Sequence, residues 1–272
     1  MPQRNLLLER LGAAKEKSRL ATLPENPEKL TLAELTSKLF ISGDLLEGAS
    51  SKVYVYYDKG GKKALKVNKI GDEIIALDST AETTKRNLEN ELNILKALAA
   101  KPEIKPHIVG VEKSFTLTDG RLAVVEEFAS GERLKDLIED NRLEPEELGK
   151  IVTELLNLKQ KFQKNSFYFI DWNSGNIHII KSESGYIVKF VDFGTSRLDT
   201  AALKDDDGGF RIKVKFMILD LFRTKIKDLL RQQKPEEVIK LKAKLNAMFG
   251  ENGKISQNRN LDAELEDLAN GI

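Results

Sequence analysis

The chain has 272 residues, 40% of them apolar and 32% charged, which describes a soluble globular protein of one two-lobed domain or two small ones. A net charge of +1 gives no bulk attraction to nucleic acid or membrane, and no apolar run approaches the roughly 20 residues of a membrane span. With no cysteine, disulfides, zinc–thiolate sites and cysteine nucleophiles are excluded, and His107 and His178 alone leave little for histidine-based metal or triad chemistry.

The first 23 residues carry Leu6, Leu7, Leu11 and Leu20 among charges, the pattern of a loosely amphipathic helix, which the proline-bearing stretch 24–29 ends. They lack the apolar core of a secretory signal peptide. A short helix is expected over 31–40, with Thr31 as N-cap and Glu34 completing a capping box. From residue 41 the period changes to that of strands. The runs 52–57 and 62–70 flank a Gly60-Gly61 turn and read as a hairpin. A long helix over 84–100 presents Leu88, Leu92, Leu95 and Leu98. Strands follow at 109–117 and 122–128, and then a helix over 144–163 with Pro145 in its first turn. A loop at 167–176 precedes two short strands, 177–181 and 186–191. Helices are expected over 210–232 and 235–249, with a further helical stretch near 261–268. A strand-rich first half followed by a helix-rich second half is an α+β layout.

Phosphoryl transfer from ATP needs a cation to grip the phosphates, oxygen ligands for a metal ion and a carboxylate to orient the attacking hydroxyl. The loop FIDWNSGN places Asp171 and Asn176 in the spacing D-x-x-x-x-N. The strand run YIVKFV then leads into Asp192-Phe193-Gly194. This ordered pair, with a hairpin between its members, resembles the catalytic loop and metal-binding turn of the protein-kinase-like superfamily. The resemblance covers roughly residues 41–230. It implies a two-lobed fold with a strand-rich N-lobe and a reduced helical C-lobe. It also implies ATP and Mg2+ (or Mn2+) as cofactors, Asp171 as the residue that orients the acceptor, and Asn176 and Asp192 as metal ligands.

Further segments resemble the family in the same order. Ala64-Leu65-Lys66 is similar to the strand whose lysine binds phosphates. Glu91, with Glu89 as a competing choice, lies where the family's helix carries that lysine's acidic partner. The stretch 124–134 resembles the hinge, where Glu127 and Ala129 would offer backbone groups to adenine, and His178 falls near the adenine floor. The phosphate-covering loop is degenerate: Leu46, Gly48, Ser51 and Val53 stand where the family has three glycines and a valine, and one glycine remains. Ile170 precedes Asp171 in place of the usual arginine, so a phosphate on the segment 195–209 has no usual docking charge. Glu126 occupies a position beside the hinge that is ordinarily apolar, and no A-P-E sequence follows Gly194.

With no A-P-E sequence and a helix expected soon afterwards from Phe210, the helical platform that docks peptides in ordinary protein kinases is expected to be shortened or missing. This resembles minimal, atypical kinases: those that pathogenic bacteria deliver into host cells, and those of the archaeal and eukaryotic tRNA-modification complex. The effector type is preferred because of the extra N-terminal helices and the ordinary-looking hinge. The expected organisation is an N-terminal helical extension at 1–38, an N-lobe at 39–129, a reduced C-lobe at 130–250 and a tail at 251–272. The resemblance implies a serine/threonine protein kinase acting on a protein substrate, for an effector a host protein, with a host activator as a candidate partner. Its location is expected to be cytoplasmic, or the host cytosol by way of a system that reads no signal peptide. Two other readings stand beside it. The phrase DWNSGN is nearer to small-molecule kinases of the aminoglycoside-phosphotransferase kind, and a nucleotide-binding pseudokinase is opposed by the presence of Lys66, Asp171, Asn176 and Asp192.

Overall fold

The computed structural model describes residues 21–39, 45–47, 50–74, 80–169, 171–183, 185–198 and 207–249. The chain divides into two compact units, one formed by residues 1–129 with 192–196, the other by residues 130–191 with the remainder. Most of the helix expected over the first 23 residues, and the one near 261–268, lie outside the described residues.

The first unit is built on a five-stranded antiparallel sheet. Its strands are β1 (Leu45–Glu47), β2 (Ser51–Asp58), β3 (Gly61–Asn68), β4 (Val111–Thr116) and β5 (Leu122–Glu127), in the order β1-β2-β3-β5-β4. Because side chains alternate along a strand, the register divides the sheet into two faces. Tyr56, Leu65, Val67, Ala123 and Val125 form one face. They share a core with Leu32, Leu35 and Leu39 at helix α1 (Leu32–Lys38) and with Ala21, whose N–H donates to the Tyr57 carbonyl. Helix α1 starts where the sequence indicates: Thr31 and Glu34 form a reciprocal capping box. Residues 21–39 therefore share the core of the sheet. On the opposite face, Leu122 and Val124 meet Leu88 and Leu92 of helix α2 (Ala81–Ala99).

Asn68, 1% exposed, ties these parts together at the end of β3. Its Oδ1 accepts from the Leu122 N–H at 2.7 Å and its Nδ2 donates to the Lys69 carbonyl at 3.2 Å. That carbonyl also accepts from Thr84 Oγ1 on α2 at 2.7 Å. One amide thus registers β3 on β5 beside the first turns of the helix.

The second unit contains strand β6 (Glu132–Arg133), helices α3 (Leu134–Glu139) and α4 (Pro145–Lys164), and strands β7 (Phe167–Tyr168), β8 (Ile177–Ser182), β9 (Gly185–Phe190) and β10 (Arg197–Leu198). Helices α5 (Asp207–Arg231) and α6 (Pro235–Phe249) complete it. Strands β6, β8 and β9 form one small sheet, and β7 pairs with β10. The two-residue strands and α3 are too short to leave a periodic signal in the sequence. Gly131, at φ +95°, is where the chain enters β6. A Cβ there would stand 2.5 Å from the Ile179 carbonyl, so only glycine permits the approach. No helix among the described residues is long and apolar enough to cross a membrane.

Replacing Asn68 by leucine keeps the branched shape of the side chain but leaves the Leu122 N–H without its Asn68 acceptor and the Lys69 carbonyl without one of its donors. Urea unfolding is expected to show a loss of about 2 kcal/mol or more, the order of cost for stranded buried polar groups. An unchanged midpoint would mean that the amide does not organise the strand end.

Candidate active site

Lys66 lies on β3 directly opposite Val53 of β2 and Val124 of β5. Two residues away, Ala64 is opposite Val55 and Glu126. Directly paired residues share a face, so Val53, Ala64, Lys66 and Glu126 all lie on the face that packs against α2. Leu46 is paired with Val53, while Gly48 is outside the described residues.

The Lys66 ammonium donates to Glu91 Oε2 at 2.5 Å, and both residues are buried. The helix periodicity accounts for this choice. Glu91 shares the buried stripe with Leu88, Leu92 and Leu95, whereas Glu89 is exposed. The other Glu91 oxygen accepts the Phe193 N–H at 3.1 Å. Asp192 Oδ1 stands 3.7 Å from Lys66 Nζ, and its side chain stays half exposed. Asp192 has φ +63°, a left-handed conformation that few side chains other than asparagine and aspartate adopt readily.

A third acid completes the cluster. Glu126 is 6% exposed, and its Oε1 has no hydrogen-bond partner. Burial pushes its carboxyl up to about 8, and the Glu91 and Asp192 charges add to the effect while Lys66 opposes it. Burial alone would lower the Lys66 ammonium, but Glu91, Asp192 and Glu126 together hold it above the usual lysine range, so it stays charged. The sequence marks Glu126 as out of place beside the hinge. Its membership of this cluster requires the strand register, which fixes the face on which it lies.

At the end of β5 the Glu127 N–H donates to the Gly110 carbonyl at 2.8 Å, and the Gly110 N–H reaches Glu127 Oε2 at 3.4 Å. The Glu127 N–H is thus committed within the unit, and a base meeting this strand has to use another backbone group. Ala129 ends the unit and is buried.

In the second unit Asp171 lies in the sequence between Phe169 and Trp172. Phe169 and Trp172 are 1% and 2% exposed and meet edge to face at 5.2 Å. Both belong to an aromatic group with Phe162, Phe190 and Phe210, in which Trp172 meets Phe210 at 4.5 Å. The flanking rings anchor the backbone and leave the carboxylate half-buried. The Asn176 amide donates to Asp171 Oδ2 at 2.8 Å. That bond leaves the carboxamide oxygen as the group able to meet a hard cation. A turn closes the loop: the Asn173 N–H donates to the Asp171 carbonyl, and the Asn176 N–H to that of Asn173. The Val191 N–H donates to the Asn176 carbonyl and ties the loop to the end of β9. His178 is on β8 opposite Arg133. Burial holds its imidazole below the ordinary histidine range, with the Arg133 charge adding to this, so it is neutral at pH 7.

The chain belongs to the protein kinase family, a class of ATP-dependent phosphotransferase enzymes: residues 42–206, more than half of its length, match the protein kinase domain. The alternation of a five-stranded antiparallel sheet carrying one long helix with a mostly helical unit is the kinase-like fold. The chain is similar to the serine/threonine-protein kinase shk2 of Schizosaccharomyces pombe (strain 972 / ATCC 24843), 27% identical over 148 residues, which is 54% of this chain and 23% of that protein. It is equally similar, 27% identical over 151 residues, to serine/threonine-protein kinase 36 of Pongo abelii, covering 56% of this chain and 10% of that protein. The chain therefore spans less than a quarter of the length of these curated relatives.

The raised Glu126 carboxyl carries a pH signature. An acid whose pKa is higher in the folded chain holds its proton more tightly there. Its contribution to stability is therefore lost as pH rises from the ordinary value of 4.5 to about 8. Glu126→Gln removes that loss. The variant is expected to melt within about a degree of the wild type at pH 4.5 and several degrees higher at pH 8.5, at about 2–4 °C per kcal/mol. A difference that stays constant or shrinks as pH rises would contradict the buried, unpartnered carboxyl.

Proposed function

We propose that the chain is a serine/threonine protein kinase of minimal type that uses Mg-ATP (or Mn-ATP). The observation that carries the reading is the Asp171 carboxylate, held by the Asn176 amide in the D-x-x-x-x-N loop and fixed on buried rings on both sides. A carboxylate held so firmly yet still half-accessible can orient an acceptor hydroxyl and take its proton. Lys66, kept charged by its acidic neighbours, is assigned to the nucleotide phosphates, with Glu91 holding it. Asp192, half exposed, and Asn176, with its amide oxygen to spare, are the oxygen donors suited to a hard cation, so both fit a metal-ligand role. When bound, that ion offsets phosphate charge. Ala64, Val53 and Leu46 on the sheet, Ala129 at the hinge and His178 on β8 are assigned to the base and sugar, with Gly48 in the loop over the phosphates.

A groove of about 500 Å³ in the second unit adjoins Asn173 and Ser174 of this loop and carries Lys135, Glu139, Arg223 and Lys227. Charges of both signs beside the loop favour a polypeptide acceptor over a small alcohol. The effector type, with a host protein as substrate and a host activator, is part of this proposal. It rests on the short segment after Gly194 and on Ile170 before Asp171.

Radiolabelled ATP offered with a proteome lysate, and separately with a panel of small alcohols including aminoglycosides, tests the acceptor. Label on serine or threonine of proteins is expected, whereas label on an alcohol alone would make the chain a small-molecule kinase. In the same assay Asp171→Ala should lower turnover about 100-fold or more, the scale of lost general-base and positioning catalysis. Calorimetry should find that Asp171→Ala keeps its affinity for Mg-ATP while Asp192→Ala weakens it. Wild-type turnover in Asp171→Ala would contradict the assignment.

A further inference from the structure

The segment that carries Asp192 is held by two neighbouring residues of α2, of which Glu91 is only one. The Asn90 Nδ2 group donates to the Gly194 carbonyl at 2.9 Å and to the Ser196 carbonyl at 2.9 Å. A carboxamide nitrogen has two N–H bonds, and both are used here on one stretch of backbone. Glu91, next along the helix, takes the Phe193 N–H. Side chains at successive helix positions diverge by about 100°, so the two residues reach the segment from different directions. The segment supplies one N–H and two carbonyls, and the helix meets them with one acceptor and a double donor.

Three further features show that the segment is shaped to lie against α2. Gly194 lies against the helix, where a Cβ would be in ordinary van der Waals contact with the Asn87 carbonyl at 3.4 Å. Phe193 and Ser196 are 0% and 1% exposed, and the Ser196 N–H closes a turn on the Phe193 carbonyl at 3.0 Å. The left-handed Asp192 immediately precedes this turn, so the backbone that follows its carboxylate is the stretch that α2 itself grips.

We propose that Asn90 is a positioning residue for Asp192: by donating to the Gly194 and Ser196 carbonyls it locks residues 192–196 onto α2, so that the Asp192 carboxylate is set without a phosphate on the following segment. The role of Asp192 in metal binding rests on the function proposed above; the clamp itself rests on geometry alone. It gives one helix control of both charges: a shift of α2 releases Lys66 through Glu91 and Asp192 through Asn90 together.

Asn90→Asp is isosteric but has no N–H to donate, and it sets a carboxylate against two carbonyl oxygens. Asn90→Ala removes the donors without the repulsion. Hydrogen exchange is measured first on the full chain without nucleotide or metal. The amides of Phe193 and Ser196 are expected to exchange at least tenfold faster in Asn90→Asp and several-fold faster in Asn90→Ala, while those of Leu65 and Val125 keep their wild-type rates. Faster exchange throughout the unit would mean a merely structural role, and unchanged exchange at 193 and 196 would mean no clamp; either overturns the proposal. If Asn90→Asp fails to fold, Asn90→Ala decides by the same criterion. The second readout is the magnesium concentration for half-maximal ATP binding, expected to rise several-fold in Asn90→Ala and to stay so after phosphatase treatment of both proteins. A wild type that binds no Mg-ATP overturns the kinase reading and with it the metal role of Asp192, while the exchange result still decides the clamp. A wild type that binds it, with no shift in Asn90→Ala, overturns the positioning role alone.

Discussion

A buried carboxylate must find donors for its oxygens or lose its charge, and in this chain Glu91 finds two of different kinds. One is the Lys66 ammonium on β3, the other the backbone N–H of Phe193. Three pieces of chain distant in sequence are thereby fixed to one another by a single side chain: the central strand, the long helix and the segment that carries Asp192. Removing Glu91 would leave Lys66 among the acids Asp192 and Glu126 without its nearest partner, and would strand the Phe193 N–H. Breaking one side of such a buried pair costs about 3–5 kcal/mol, far above the worth of a surface ion pair.

The acids around Lys66 pose an electrostatic problem with a chemical use. Three carboxyls face one ammonium in a buried setting. Glu126, with its Oε1 lacking a partner, is the one whose proton is retained up to about pH 8. Of the other two acids near Lys66, Glu91 is engaged by hydrogen bonds and Asp192 is half exposed. The second unit solves the corresponding problem by other means. Asp171 is held by a neutral amide, that of Asn176, and its position is set by the packed rings of Phe169 and Trp172 on either side. Hydrophobic packing thus does for Asp171 what charge does for Lys66.

Much of this is legible in the amino-acid sequence. The D-x-x-x-x-N loop, the Asp-Phe-Gly turn and the lysine in a β-branched strand are local patterns, and the elements that carry them follow from hydrophobic period. The choice of Glu91 over Glu89 follows from the stripe of Leu88, Leu92 and Leu95, because the helix has one buried face. Other features are not legible there, because they depend on register between distant strands or on backbone path. Glu126 joins the cluster only because Ala64 is its partner across β3 and β5. Asn90 is an ordinary polar residue in a helix until the 194 and 196 carbonyls arrive beside it. The engagement of Glu127 by Gly110 likewise depends on how β4 enters the sheet. Helix α1 is legible as a helix from its capping box, but not as part of the sheet's core, since that requires knowing which face of the sheet lies uncovered.

The Lys66–Glu91 interaction is tested most directly by a double-mutant cycle in Mg-ATP binding, using Lys66→Met, Glu91→Gln and the two combined. If Glu91 acts by holding Lys66 for the phosphates, each single variant should lose about tenfold or more in affinity. The double variant should then be no weaker than the poorer of the two, a coupling of about 1.4 kcal/mol or more. Additive losses, or a Glu91→Gln protein that binds Mg-ATP like the wild type, would contradict the account.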